Sequence, residues 1–198
     1  MSSLSVSVLV ASMVLLGFVL SRYNGVVRSQ KQVQEAWSGI DVQLRRRASL
    51  LPNLIEGVKA YAAHERDVFE EVARARSALQ KATGTSQASS ANDMISAALG
   101  RLFAVVENYP QLRASENFMS LRADLSDIEE KIAFARQFYN RTVLDYNTRL
   151  ETFPDAVIAR SLDFKPAEFF AAGAEDRTDI RIKLTQPERT PEPSAPTA

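Results

Sequence analysis

FMSLRADLSDIEEKIAFARQFYNRTVLDYNTRLETF, residues 118–153, places apolar side chains at Phe118, Leu121, Leu125, Ile128, Ile132, Ala135 and Tyr139, then Val143, Tyr146, Leu150 and Phe153. The steps alternate between three and four residues, apart from two successive fours around Tyr139. That is the stripe a long helix buries against its neighbours, with a stutter that locally relaxes any supercoil. Three more segments upstream repeat the pattern. Val33, Trp37, Ile40 and Leu44 define a first helix. Leu51, Ile55, Val58, Ala62, Phe69, Val72 and Leu79 define a second, and Ile95, Ala98, Leu102, Val105 and Tyr109 a third that follows Ser89-Ser90. Four such stripes predict an all-α domain, an antiparallel up-and-down four-helix bundle.

Isolated prolines at 52, 110, 154 and 166 mark expected helix boundaries, because proline lacks the N–H and restricts the residue before it. Asn53 with Glu56 reads as a capping box after Pro52, and Ser90 with Asp93 as a variant of one. The stripes of helices one and two stay in phase across Pro52, so one kinked helix also fits. A break is preferred, since Arg45-Arg46-Arg47 suit the last turn of a helix. Residues 82–89 (ATGTSQAS) read as a flexible loop. Phe164-Lys165-Pro166-Ala167-Glu168-Phe169-Phe170 reads as a short helix with proline at its first position. Beyond it, Ile180–Leu184 is the one strand-like alternation, and ERTPEPSAPTA at the end is too polar to order itself.

Outward in the other direction, Leu4–Leu20 (LSVSVLVASMVLLGFVL) is almost wholly apolar, and no charged side chain occurs before Arg22. Such a run just crosses a hydrocarbon core of about 30 Å. With no basic residue before it and no small-x-small site after it, it reads as a retained anchor rather than a cleaved signal. The basic residues Arg22, Arg28 and Lys31 follow the span, a modest bias that by the positive-inside rule puts the remainder in the cytoplasm, with an extracytoplasmic domain as the alternative. The expected organisation is an anchor over 1–21, a helical domain over 22–170 and a mostly disordered proline-rich tail over 171–198.

The chain has 198 residues, no cysteine, one histidine, and 24 Lys+Arg balancing 24 Asp+Glu. Thiol chemistry, disulfide scaffolds and zinc fingers are excluded. Balanced charge argues against a nucleic-acid partner. His64-Glu65 begins like the helical zinc motif H-E-x-x-H, but Val68 occupies the second ligand position. A di-iron carboxylate site needs Glu-x-x-His pairs on two helices, and Tyr61 stands three residues before His64. No glycine-rich phosphate loop or nucleophile elbow appears. No catalytic, cofactor-binding or metal residue is therefore expected, and no enzyme. Glu65 lies in an apolar stripe, as an edge residue or paired with a buried Tyr or Arg. Trp37 reads as core. Arg45–Arg47 reads as a solvated face, with contact to anionic lipid as the alternative. Tyr139-Asn140 and Tyr146-Asn147, seven residues apart, present the same faces of one helix, either for interhelical polar contacts or as a partner-binding strip. Pro193-Ser194-Ala195-Pro196 is formally P-x-x-P in a solvated tail.

Several of these segments, in this order and spacing, carry a resemblance. Arg22-Tyr23-Asn24, Ala36-Trp37-Ser38, Ile40 to Arg47, Leu51-Pro52-Asn53-Leu54, Tyr61 to Glu65, Glu107-Asn108-Tyr109-Pro110 and the two Tyr-Asn pairs resemble the LemA family of bacterial membrane proteins over roughly residues 20–170. Gly57 and the proline-rich tail depart from it. The resemblance implies a single-pass anchor followed by a four-helix bundle with a break at Pro52, and brings no catalytic residues. The expected function is a membrane-tethered adaptor or scaffold working through protein–protein contact, its membrane contact made by residues 4–20. The alternatives are a module sensing a small molecule or lipid between helices near Trp37, Glu65 or Tyr146, and a hydrolase using carboxylates alone.

Overall fold

The computed structural model describes residues 3–170, in which there are six helices and no strand. They are α1 (Ser3–Lys59), α2 (Arg66–Lys81), α3 (Thr85–Val106), α4 (Pro110–Arg113), α5 (Glu116–Glu151) and α6 (Asp155–Ser161). The Ile180–Leu184 stretch and the proline-rich tail expected to be disordered lie outside the described residues.

α1 is continuous through Pro52, so the expected break is absent, and Asn53 sits inside the helix rather than capping one. The physical reason is non-local. Proline at 52 leaves the carbonyl of Ala48 without its helical donor. The guanidinium of Arg76, on α2, donates Nε–H to that carbonyl at 3.1 Å. The chain instead turns at 60–65, in the middle of what the periodicity joined into one helix. Arg45, Arg46 and Arg47 consequently lie in the body of α1.

The loop expected over 82–89 shrinks to three residues, ending in Gly84 at φ 86°, where glycine is the residue without a steric penalty. α3 then starts at Thr85, and its small residues pack inward: Ala88, Ser89 and Ala91 are buried. Ser90 and Asp93 are within the helix, so no capping box forms there. The side chain of Gln87 instead accepts from Thr83 N at 2.9 Å. α5 is capped by Ser115, whose hydroxyl oxygen accepts from Phe118 N.

Cross-contacts set the directions. Lys59 lies over the Phe69 ring and Arg76 reaches Ala48, so α2 returns along α1. Arg101 of α3 pairs with Glu71 of α2. α5 runs antiparallel to α1, with Arg47 opposite Glu129, Trp37 opposite Tyr139 and Gly25 opposite Arg149.

The interior divides into two clusters. The distal one joins Leu51, Leu54 and Val58 of α1 to Phe69 and Val72 of α2, Ile95 and Leu102 of α3, and Phe118 and Leu125 of α5. The proximal one is built mainly by α1 and α5, through Val26, Val33, Ile40 and Leu44 against Ile128, Ile132, Tyr139, Val143 and Tyr146. Each fully buried aliphatic side chain contributes about 1.5–3 kcal/mol.

Before Val26, α1 buries none of the side chains described. Val6, Leu9, Met13, Leu16 and Leu20 are all exposed, on the one helix among the described residues that is long and apolar enough to cross a bilayer. At about 1.5 Å per residue, α1 is roughly 85 Å long, and it passes from the apolar run into the packed part without interruption.

Candidate functional site

Residues 164–170, expected to be helical, form an extended strap held along α5 by the two Tyr-Asn pairs. Asn147 donates Nδ2–H to the carbonyl of Ala167 at 3.0 Å and accepts the Ala167 N–H at 2.9 Å. Asn140 does the same with Phe170, at 3.0 and 2.8 Å. The hydroxyls of Tyr146 and Tyr139 donate to the carbonyls of Lys165 (3.1 Å) and Glu168 (2.8 Å). The registers match because seven helical residues rise about 10.5 Å and three extended residues about 9–10 Å. A helix over 164–170 would place these peptide groups out of phase with the asparagines. The helix that does follow Pro154 is α6, at 155–161.

Phe170 closes the strap. It is 2% exposed, with its ring 6.2 Å from Trp37, which itself meets Tyr139 edge-on at 5.8 Å. Trp37, expected in the core, is half-buried and packs against the proximal cluster from its edge. Burial raises the pKa of both tyrosines, Tyr139 gaining a further push from the Glu168 carboxylate against an opposing hydrogen bond with Thr85. The two pairs thus grip a backbone rather than a neighbouring helix.

The expected solvated face at Arg45–Arg47 is only partly right. Arg45 is exposed and paired with Asp41 one turn back. Arg47 is 4% exposed and sits where the two clusters meet. Its Nη1 donates to Asn92 Oδ1 at 2.6 Å, and its Nη2 reaches Ser96 Oγ at 3.1 Å and Glu129 Oε2 at 2.6 Å. Desolvation lowers its pKa, opposed by Glu129 and Asp93. A second arginine, Arg149, ties Asp155 (2.6 Å) to the carbonyl of Gly25 (2.9 Å) and to Ser29 Oγ (3.0 Å). A Cβ on Gly25 would fall 2.1 Å from its Nη2, so a side chain there would displace the guanidinium from its present position.

On the opposite side of α5 from the strap, α1 and α5 leave an open groove of about 950 Å³. Phe134 (74% exposed) and Phe138 (56%) rise from it one helical turn apart. Its charged lining is Glu35, Asp127, Glu130 and Asp145 against Lys131, which is tied to Asp127 at 2.7 Å. The carboxamide oxygen of Gln43, also in the lining, is buried without a hydrogen-bond partner. Tyr146 belongs to both features, bordering the groove and holding the strap with its hydroxyl.

His64 is exposed in the turn before α2, and Glu65 is half-buried at that helix's N-cap position. The structure does not bring either to the groove or the strap. No cluster of three or more metal-ligating His, Asp or Glu occurs among the described residues. Sequence reasoning missed Arg47, Arg149 and the groove. The signal for the groove was available, because Phe134 and Phe138 are aromatics lying off the buried stripe.

The fold and these features define an all-helical protein whose packed part grows out of one long apolar N-terminal helix. The chain belongs to the LemA family, whose model matches residues 36–184. It is similar to the magnetosome protein MamQ of Magnetospirillum gryphiswaldense, at 27% identity over 178 residues, 77% of this chain and 65% of that protein. A MamQ of Paramagnetospirillum magneticum is 28% identical over the same shares. Protein LemA of Metamycoplasma hominis is 27% identical over 165 residues, 81% of this chain and 74% of that protein. The chain therefore spans just under two thirds of the length of the magnetosome relatives.

Proposed function

We propose that this chain is a membrane-anchored adaptor that docks a partner helix in the groove between α1 and α5, and that it carries no catalytic step. In this reading α1, α2, α3 and α5 are an antiparallel up-and-down four-helix bundle. The apolar run at 4–20 is a single-pass anchor in a bacterial inner membrane, and the packed part is cytoplasmic. The observation that carries the reading is the exposed pair Phe134 and Phe138, above a groove whose lining holds four carboxylates and one ammonium. α2 and α3 contribute mainly to the distal cluster, which leaves this face of the proximal half open. From Ser29 to Gln43 the groove runs about 21 Å, the length of a fourteen-residue helix. The occupant is an amphipathic helix with an apolar stripe flanked by lysine or arginine, bound as helix in groove.

Photocrosslinking in intact membranes tests it. A benzoylphenylalanine at 134 or 138 is expected to give one discrete adduct, mapping to a basic amphipathic helix of another protein. The same probe at Met119, exposed on the distal half of α5, gives none. Glu35→Lys with Glu130→Lys abolishes the adduct. Equal adducts at all three positions, no adduct, survival after charge reversal, or an adduct with a second copy of the chain each refute the adaptor.

A further inference from the structure

The turn between α5 and α6 sits at an unusual height on α1. Arg47 faces Glu129, Trp37 faces Tyr139 and Gly25 is bound by Arg149, so α1 and α5 stay in antiparallel step over their shared length. Continued by the few residues that remain, this register brings the Thr152–Pro154 turn level with Ser21–Tyr23. The contact of the Tyr23 ring with Phe164, at 6.2 Å, places the chain after α6 at the same level. The apolar run ends at Leu20, one to three residues or about 1.5–4.5 Å away along the axis. The polar layer on each side of a bilayer's hydrocarbon core is about 5–7 Å deep.

The side chains presented at that height are unlike those of a solvated corner. Phe153 is 80% exposed, the most exposed large apolar side chain among the described residues. Val157 (59%) lies one helical turn further on, and Leu162 (55%) follows α6. Val157, Arg160 and Ser161 form the exposed face of α6, while Ala156 and Ala159 are buried. Arg28 and Arg160 are exposed, and the Arg22 guanidinium lies 5.1 Å over the Phe18 ring, at the edge of the apolar run. Apolar tips beside arginines are the composition that partitions into a headgroup layer and favours anionic lipid.

We propose that the α5–α6 corner is a second membrane contact, with Phe153, Val157 and Leu162 dipping into the interface of the bilayer that α1 spans. This rests on the reading of residues 4–20 as a membrane span. The corner makes the packed part lie against the surface instead of swinging on a single helix, which fixes the direction in which the α1–α5 groove faces. Arg149 transmits the constraint, since it joins α6 through Asp155 to α1 through Gly25 and Ser29.

The chain has no cysteine, so single cysteines can be introduced cleanly. The full chain, carrying a nitroxide at Leu15→Cys, Phe153→Cys, Val157→Cys or Met119→Cys, is reconstituted in vesicles of three parts phosphatidylcholine to one of phosphatidylglycerol. Collision rates with oxygen and with a water-soluble nickel chelate are then read. At 153 and 157 the nickel collision rate is expected to be about fivefold below that at Met119, with oxygen collisions between those at Met119 and Leu15. Labels at 153 and 157 as accessible to nickel as Met119, beside a lipid-like Leu15, overturn the corner contact and leave the span standing. A water-like Leu15 overturns the span, and the corner contact with it.

Discussion

Replacing Asn147 by alanine removes two hydrogen bonds, both to the backbone of Ala167 in the strap, and leaves the ring contacts of α5 in place. Six side-chain-to-backbone bonds hold the strap in all. At about 1 kcal/mol net each they contribute roughly 6 kcal/mol, and burial of Phe170 adds about 2–3 kcal/mol. Ordering seven backbone residues costs about 7–14 kcal/mol. The balance lies within a few kcal/mol of zero, so the strap opens far more readily than the clusters beneath it. The substitution takes away about 2 kcal/mol of that balance, which at about 1.4 kcal/mol per decade is a 10- to 30-fold change in opening.

Amide hydrogen exchange reads this directly. In Asn147→Ala, the amides of Ala167 and Phe170 are expected to exchange faster, by up to about 30-fold, the limit set by a docking free energy of about 2 kcal/mol at the favourable end of these ranges. Those of Leu54 and Leu102, buried in the distal cluster, stay within about twofold. Unchanged exchange at Ala167 and Phe170 would show that the asparagines do not hold the strap. Equal acceleration at Leu54 and Leu102 would show that the strap is part of the global unit, and the local-opening argument would be wrong.

Arg76→Ala is expected to cost about 1–2 kcal/mol, because it strips the donor from the Ala48 carbonyl. In a Pro52→Ala background, where the restored N–H takes over that carbonyl, the cost should largely vanish in a double-mutant cycle on urea midpoints, and strict additivity would disprove the substitution of one donor for another. Arg47→Ala should cost about 3 kcal/mol, through the cavity and the stranded Asn92 amide. Arg47→Met, filling similar volume, should cost less than half of that by thermal denaturation, and equal losses would mean that the charge itself is needed. Tyr139 and Tyr146 hold their protons above the usual phenol value near 10, so the native state binds more protons than the unfolded state there. Their contribution is complete below about pH 10 and is lost as the pH rises through the folded-state values. Tyr139→Phe with Tyr146→Phe should flatten the decline in urea midpoint between pH 10 and 11.5, and an unchanged slope would assign it elsewhere.

The helices were legible because burial on one face is a local pattern, and a stripe of threes and fours survives whatever the partner is. What was not legible depended on contacts far along the chain. Pro52 looks like an end until Arg76 is seen at its orphaned carbonyl, and no local rule supplies that donor. The small residues at 85–89 look like a loop, but Ala88 and Ser89 are small because α3 packs closely there. The Tyr-Asn repeat was visible as a pattern, whereas its partner is a row of peptide groups, which leave no residue-specific trace. Phe164–Phe170 has a helix-like sequence, and the bidentate asparagines outweigh its propensity by capturing the N–H and the carbonyl of Ala167 and of Phe170, three residues apart. Arg47 reads as part of a solvated face, and nothing marks Arg149, because contacts that define them, to Asn92 and to Gly25, lie 45 and 124 residues away.

The two halves of the molecule are consequently closed by different physics. The distal half shuts by packing Leu51, Leu54, Ile95 and Leu102 from separate helices, which is cooperative and indifferent to what the surface binds. The proximal half shuts one side of the α1–α5 pair with a strap of marginal net stability, about 2 kcal/mol at most, and leaves the other side as the acidic groove. Tyr146, 1% exposed, borders the groove, while its hydroxyl holds Lys165 in the strap. A rigid distal half and a loosely latched proximal half, with Arg47 at their junction, place the responsive part of the protein next to the apolar helix. On the proposed reading as a membrane-tethered adaptor, that is where a partner would act on it.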